Sequence, residues 1–192
     1  MNVTIRKGYL LSSSRKAFVF GLKLLSVILI SLSPSQLAAA EKFDGQFIAA
    51  EVARAIASPD NTVEIIVAQP IDLVFDALLS RLAEYSESIS DISFDNSNSQ
   101  NSAAVGVGSQ RITTMDDGKR LVQRIIIFEP PNTFAYFTDM AKSTVSVPIG
   151  YSIGYYQFSE LQDETVKAEV SVAYKPSSRL TAFLVRLGFN RA

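Results

Sequence analysis

The residues of this 192-residue chain whose types and spacing bear most directly on chemistry lie in Gly106-Val-Gly-Ser-Gln-Arg111 and in the Asp116-Asp117-Gly118 turn that follows. A Gly-x-Gly pair could cradle a phosphate, but this one lacks the third glycine and the following helix that a dinucleotide site requires. Asp116 and Asp117 could ligate calcium, yet they lack the spaced oxygen ligands of a loop site, and turn chemistry accounts for them. Arg111 has three readings: a partner for a carboxylate near the glycine loop, an anchor for an acidic ligand head, or, by default, a surface strand arginine. The chain has no histidine and no cysteine. That removes the usual zinc, copper and haem ligands, the commonest general base, thiol catalysis, lipoprotein acylation and c-type haem attachment. No serine sits in a Gly-x-Ser-x-Gly elbow or in a supported Ser-x-x-Lys motif. Any chemistry must use carboxylates, Tyr, Lys, Arg or Ser; no residue earns a catalytic assignment, and no metal or cofactor is expected.

The first forty residues read apart from the rest. They hold Arg6, Lys7, Arg15, Lys16 and Lys23 but no acid, then an almost wholly apolar run from Ala17 to Ser33, Pro34, and Ala38-Ala39-Ala40 before Glu41. This is the pattern of a secretory signal cut after Ala40, which would export the protein to a periplasm or the outside. An uncleaved membrane anchor is the alternative, with Lys23 interrupting the run, and a transit peptide the third.

Without the leader the chain keeps 13 of its 18 basic residues against all 19 acidic ones, so its charge falls from −1 to about −6. Phosphate neutralisation needs clustered Lys and Arg, so no nucleic-acid partner is expected. The remaining length suffices for one domain with its own core and no disulfides.

The elements that must position any site follow. Phe43, Phe47, Ile48, Val52 and Ile56 recur at helical spacing, so residues 41–59 read as a lead-in, either helical or frayed. Thr62–Ala68 is a β-rich run, and Pro70 opens a helix with Leu73, Val74, Ala77, Leu78 and Leu82 as its stripe. Ser86–Ser102 is rich in Ser, Asn and Asp, with one optional strand at Ile92–Phe94 and a surface loop at Asn96–Asn101. Strands are predicted at Gln110–Met115, Leu121–Phe128, Thr133–Asp139, Ser152–Glu160 and Thr165–Tyr174, all antiparallel because the links are too short for crossover helices. The chain then ends in a helix whose Leu180, Phe183, Leu184 and Leu187 form one apolar face, to be packed on the sheet.

Alternation selects inward side chains. Arg120 and Arg124 mark the outer face of their strand, leaving Leu121, Gln123, Ile125 and Ile127 inside. In the last strand Lys167 and Glu169 mark the outside, leaving Val166, Ala168, Val170, Val172 and Tyr174. If Ser152, Gly154, Tyr156 and Phe158 also face inward, the first two are too small to fill the space beneath the terminal helix, and an apolar cavity remains. Gln123 either orients a ligand by hydrogen bonds or reaches solvent at the sheet edge. Tyr85, Tyr136, Tyr156 and Tyr174 either touch ligand or are core.

Residues 60–192 resemble the START-like superfamily, also called SRPBCC, of polyketide cyclases, lipid-transport proteins and the birch-pollen allergen type. The resemblance rests on Val67-Ala-Gln-Pro70-Ile-Asp-Leu-Val74-Phe75, the aromatic Tyr85 after the first helix, Gly106-Val-Gly-Ser-Gln-Arg111, Phe128-Glu-Pro-Pro131 and Tyr174-Lys-Pro176. Gln69 replaces a common Ala, the Trp-Pro-x-Trp neighbourhood is missing, and the last helix is short. The resemblance implies an α+β helix-grip fold, a curved antiparallel sheet of about six strands around a C-terminal helix. It also implies a hydrophobic cavity for a lipid, isoprenoid or polyketide-like molecule. Tyr85, Leu121, Gln123, Ile125, Ile127, Ser152, Gly154, Tyr156, Phe158, Val170, Val172, Phe183, Leu184 and Leu187 are the expected lining. An exported carrier is the leading reading, a cyclase, dehydratase or hydrolase using the same cavity the second, and a pocketless interaction domain the third. Membrane association is expected only through the N-terminal segment.

Overall fold

β-branched and aromatic runs bounded by Gly, Pro, Asn and Asp make strands in this chain, and two periodic apolar runs make helices. The computed structural model describes residues 4–5, 43–101, 104–162 and 165–177. They form β1 (Thr4–Ile5), α1 (Gly45–Ala57), β2 (Asn61–Val67), α2 (Ile71–Leu79), β3 (Ile89–Asp95), β4 (Gln110–Met115), β5 (Arg120–Glu129), β6 (Thr133–Asp139), β7 (Ile149–Glu160) and β8 (Val166–Pro176). The architecture is α+β and consistent with a helix grip. Strands β2 to β8 make a seven-strand antiparallel sheet in the order β2-β8-β7-β6-β5-β4-β3, since the optional strand at Ile92–Phe94 is a full edge strand. β1 adds two residues parallel to Thr62 and Val63 at the other edge. The predicted C-terminal helix, with Leu180, Phe183, Leu184 and Leu187, lies outside the described residues, as do most of the first forty residues. Among the described residues no helix is long and apolar enough to cross a membrane.

Strand order dictates where α2 lies. β2 and β3 are successive strands at opposite edges, so the chain between them must cross one face of the sheet. Val74, Phe75, Ala77, Leu78 and Leu79 of α2 are buried. Val74, Phe75, Leu78 and Leu79 join Leu82, Ile125, Phe134, Tyr136, Tyr156, Phe158, Val166, Ala168 and Val170 in one core. Leu73, predicted for this stripe, is instead 49% exposed, because the buried sector has rotated to admit Phe75 and Leu79. Pro70 precedes the first turn as its N-cap.

The opposite face has its own cover. Asp44 caps α1 by accepting a hydrogen bond from the Phe47 amide at 2.8 Å, and Ile48 and Ala55 are buried against Phe137, Tyr151, Ile153 and Ala173. Phe43 meets Phe137 and Tyr151 edge-on, with ring centroids 5.0 and 5.2 Å apart. Ile56, read as part of the stripe, is 51% exposed. At the helix exit Asp60 accepts from the Tyr174 amide at 2.9 Å and pairs with Arg54 at 3.4 Å, tying α1 to β8. The segment read as a lead-in is therefore an integral back layer, and the sheet is covered by α1 on one face and α2 on the other.

Candidate ligand-binding face

Register turns the α2 face into transverse rows. One row runs Arg111, Gln123, Thr138, Ser152 and Tyr174, each directly opposite the next on β4 to β8. The next row is Ile125, Tyr136, Gly154, Val172 and Asn61, and the one after it Phe128, Phe134, Tyr156, Val170 and Val63. Polar side chains thus gather at one end of the face and aromatic ones in the middle. Directly opposed side chains lie only about 4.5–5.5 Å apart at Cβ, so each row is a contact series.

Arg111 is 3% exposed, which corrects the surface reading. Its Nε donates to the Leu79 carbonyl at 2.6 Å, Nη1 to Gln123 Oε1 at 2.5 Å and Nη2 to the Leu78 carbonyl at 3.5 Å. The guanidinium therefore sits at the C-terminal end of α2, where unpaired carbonyls and the helix dipole favour a cation. Its centre also lies 5.8 Å from the Tyr136 ring centroid. Gln123, likewise 3% exposed, donates from Nε2 toward Thr138 Oγ1 at 3.5 Å. It does not reach solvent at an edge; the hydrogen bond to Arg111 takes up its carbonyl.

The middle rows are a stack of rings. Phe134 and Tyr156 stack at 4.3 Å with 15° between planes, and Phe75 of α2 meets Phe134 edge-on at 5.3 Å. The Tyr136 and Tyr156 hydroxyls hydrogen-bond each other at 2.6 Å. Burial pushes the Tyr156 phenol well above its ordinary range, with the neighbouring Tyr136 adding to the effect and Arg111 opposing it. It is a neutral hydrogen-bonding group throughout the physiological range. Arg111, Gln123, Tyr136 and Tyr156 thus bring polar groups from four strands onto this face.

Of the expected lining residues, Ile127 and Tyr85 are placed differently. Leu121, Gln123 and Ile125 face α2, but a bulge between Ile125 and Ile127 resets the alternation. Ile127 pairs with Ala135 on the α1 side, while Phe128 turns inward and touches Phe75 at 6.0 Å. Ser152, Gly154, Tyr156, Phe158, Val170 and Val172 lie on the α2 face. The space above Gly154 is taken by the Tyr136 ring. Tyr85 caps the short turn Leu82–Glu84, where its hydroxyl accepts from Arg81 at 3.0 Å. Phe183, Leu184 and Leu187 lie outside the described residues.

The motifs that first drew notice are structural. The Gly106 amide donates to Ser109 Oγ at 3.0 Å, and that hydroxyl donates to Asn96 at 2.8 Å, clasping the 96–101 loop. Asp117 accepts from the Lys119 amide at 3.1 Å inside the turn, while Gly118 has φ 78°. Hydrogen bonds from Lys119 hold the Asp117 carboxyl below its usual range. Among the described residues no three His, Cys, Asp or Glu side chains are placed to hold a metal. The burial of Arg111, and Thr113 altogether, escaped sequence reasoning because in Gln110-Arg-Ile-Thr-Thr114 alternation points to burying Ile112 and wetting Arg111. The α2 carbonyls, with Gln123 Oε1 and the Tyr136 ring, make the reverse favourable.

No family model matches this sequence, and no curated protein matches it. Among solved structures, the XoxI protein of Bacillus cereus is 14% identical over 67% of this chain and 84% of its own, with a TM-score of 0.49. Ara h 8.0201 is 19% identical over 62% of this chain and 79% of its own, at 0.47. CalU16 from Micromonospora echinospora is 17% identical over 68% of each chain, at 0.44. Each is similar to this chain in architecture at low sequence identity.

Proposed function

We propose that the protein is an exported binder or carrier of a hydrophobic small molecule, held between the α2 face of the sheet and residues 178–192. The observation that carries this reading is the mismatch between that face and its helix. Seven strands at about 4.8 Å spacing make a sheet roughly 29 Å wide. A nine-residue helix is only about 14 Å long. Apolar rows such as Tyr156–Val170–Val63 continue across to β2, and the Leu180, Phe183, Leu184 and Leu187 stripe follows directly from β8. In the START-like pattern that residues 60–192 resemble, a sheet face and a C-terminal helix enclose a lipid-sized ligand. The leader motif ending at Ala40 supports export.

Purifying the protein from its native host, extracting it and weighing the extract tests the reading. A stoichiometric apolar molecule and an N-terminus at Glu41 are the expected results; an empty, tightly packed interior would overturn it. A second reading, a cyclase or dehydratase on the same face, is favoured by the buried Arg111–Gln123 and Tyr136–Tyr156 pairs. It expects the extracted molecule to be converted on incubation and the conversion to stop in Tyr156→Phe.

A further inference from the structure

Among the described residues Arg111 is a buried cation without a counter-charge. In the ion pairs among the described residues, the carboxylates meet Arg54, Arg81, Lys119 and Lys167, and none meets Arg111. Its partners are the Gln123 amide, two helix carbonyls and the face of Tyr136, all neutral. The end of a helix supplies roughly half an elementary charge, which leaves the guanidinium under-compensated. Tyr156 cannot make up the difference because burial keeps it protonated. Of the five N–H groups of an arginine, three are used here, so two remain to donate.

A second observation points the same way. Thr113, two residues along β4 on the same face, is 4% exposed, and its Oγ1 has no hydrogen-bond partner among the described residues. A buried hydroxyl left unpaired is costly, so its persistence marks a place where a polar atom is missing. Arg111 and Thr113 both lie at the end of the face next to the aromatic rows.

We infer that the ligand is an amphipathic monoanion, a long-chain carboxylic acid, whose head group docks on Arg111 beside Thr113 while its tail lies along the rows of Tyr136 and Tyr156. Two free N–H groups on a planar guanidinium match the two oxygens of a carboxylate. The row holds one positive charge, with Gln123, Thr138 and Ser152 neutral beside it, so it matches one negative charge rather than the two of a phosphate monoester. This inference rests on the carrier reading above.

The test compares hexadecanoate, hexadecanol and hexadecylamine by calorimetry on the purified protein after endogenous ligand is removed on a hydrophobic resin. The acid is expected to bind at least tenfold more tightly than the alcohol, with the amine weakest. Arg111→Met is expected to bring the acid down to the affinity of the alcohol, and Arg111→Lys to retain part of the preference. Should Arg111→Met not fold, Thr113→Val is expected to reduce the acid-to-alcohol ratio several-fold without loss of folding. Equal binding of acid and alcohol by the unmodified protein would overturn the head-group inference and leave the carrier standing, with Arg111 only a clasp for α2. Binding of none of the three would overturn both.

Discussion

Gly154 lies directly across from Tyr136 in the β6–β7 ladder, and a Cβ at Gly154 would come 2.7 Å from Cε2 of the Tyr136 ring and 2.8 Å from Cζ. The glycine is therefore the seat of an aromatic ring. That ring in turn carries the hydroxyl that meets Tyr156 at 2.6 Å and one face toward Arg111.

Gly154→Ala tests this seat. Alanine in a strand ordinarily gains about 0.5–1 kcal/mol over glycine. Here the ring is held by its hydroxyl and cannot swing away freely, so overpacking should cost about 1–3 kcal/mol instead. In a Tyr136→Leu background the same change should become neutral or stabilising, as read from urea unfolding midpoints.

Tyr156 sets an alkaline limit. Burial raises its folded-state pKa, so the folded protein keeps a proton that the unfolded chain releases above about pH 10. Its contribution is therefore full below pH 10 and is lost as pH rises beyond it. Unfolding midpoints measured from pH 7 to 11 should fall more steeply in the unmodified protein than in Tyr156→Phe. At pH 7 that variant should be about 1–2 kcal/mol less stable, since the Tyr136 hydroxyl loses its partner.

Two glycines with positive φ should respond differently. Gly108 has φ 96° and its Cβ would lie 2.0 Å from the Asn98 carbonyl oxygen, whereas Gly118 has φ 78° and open space around it. Gly118→Ala should cost about 1–2 kcal/mol through backbone conformation alone. Gly108→Ala should cost clearly more, because the 96–101 loop must also move. Thermal melts of the two variants side by side decide it.

The back layer predicts a contrast within α1. Ile48 is 5% exposed and Ile56 51% exposed. Ile48→Ala should cost about 2–5 kcal/mol, and Ile56→Ala should stay within about 0.5 kcal/mol. Equal effects in chemical denaturation would show that α1 does not pack on Phe137 and Tyr151 as described.

The sequence by itself determined the elements whose signals are local. Gln110–Met115 and Thr133–Asp139 fall where β-branched and aromatic runs meet turn residues, and Asp117-Gly118 makes the turn that its positive φ demands. The missing histidine and cysteine, the acidic balance and the basic-then-apolar pattern of the first forty residues are likewise composition, which no fold can alter. What only the tertiary structure decided was which face each side chain serves. Alternation is a code of period two, and one bulge at Ile126 was enough to send Ile127 to the α1 side and Phe128 to the α2 side. Arg111, Gln123, Thr138, Ser152 and Tyr174 lie on five different strands, far apart along the chain, and nothing in the sequence around any one of them points to the others. Strand register alone lines them up, and the end of α2, brought across the sheet by strand order, makes burial of Arg111 tolerable. Local propensity follows from each residue and its near neighbours, whereas the row is a property of strands paired across more than sixty residues of chain.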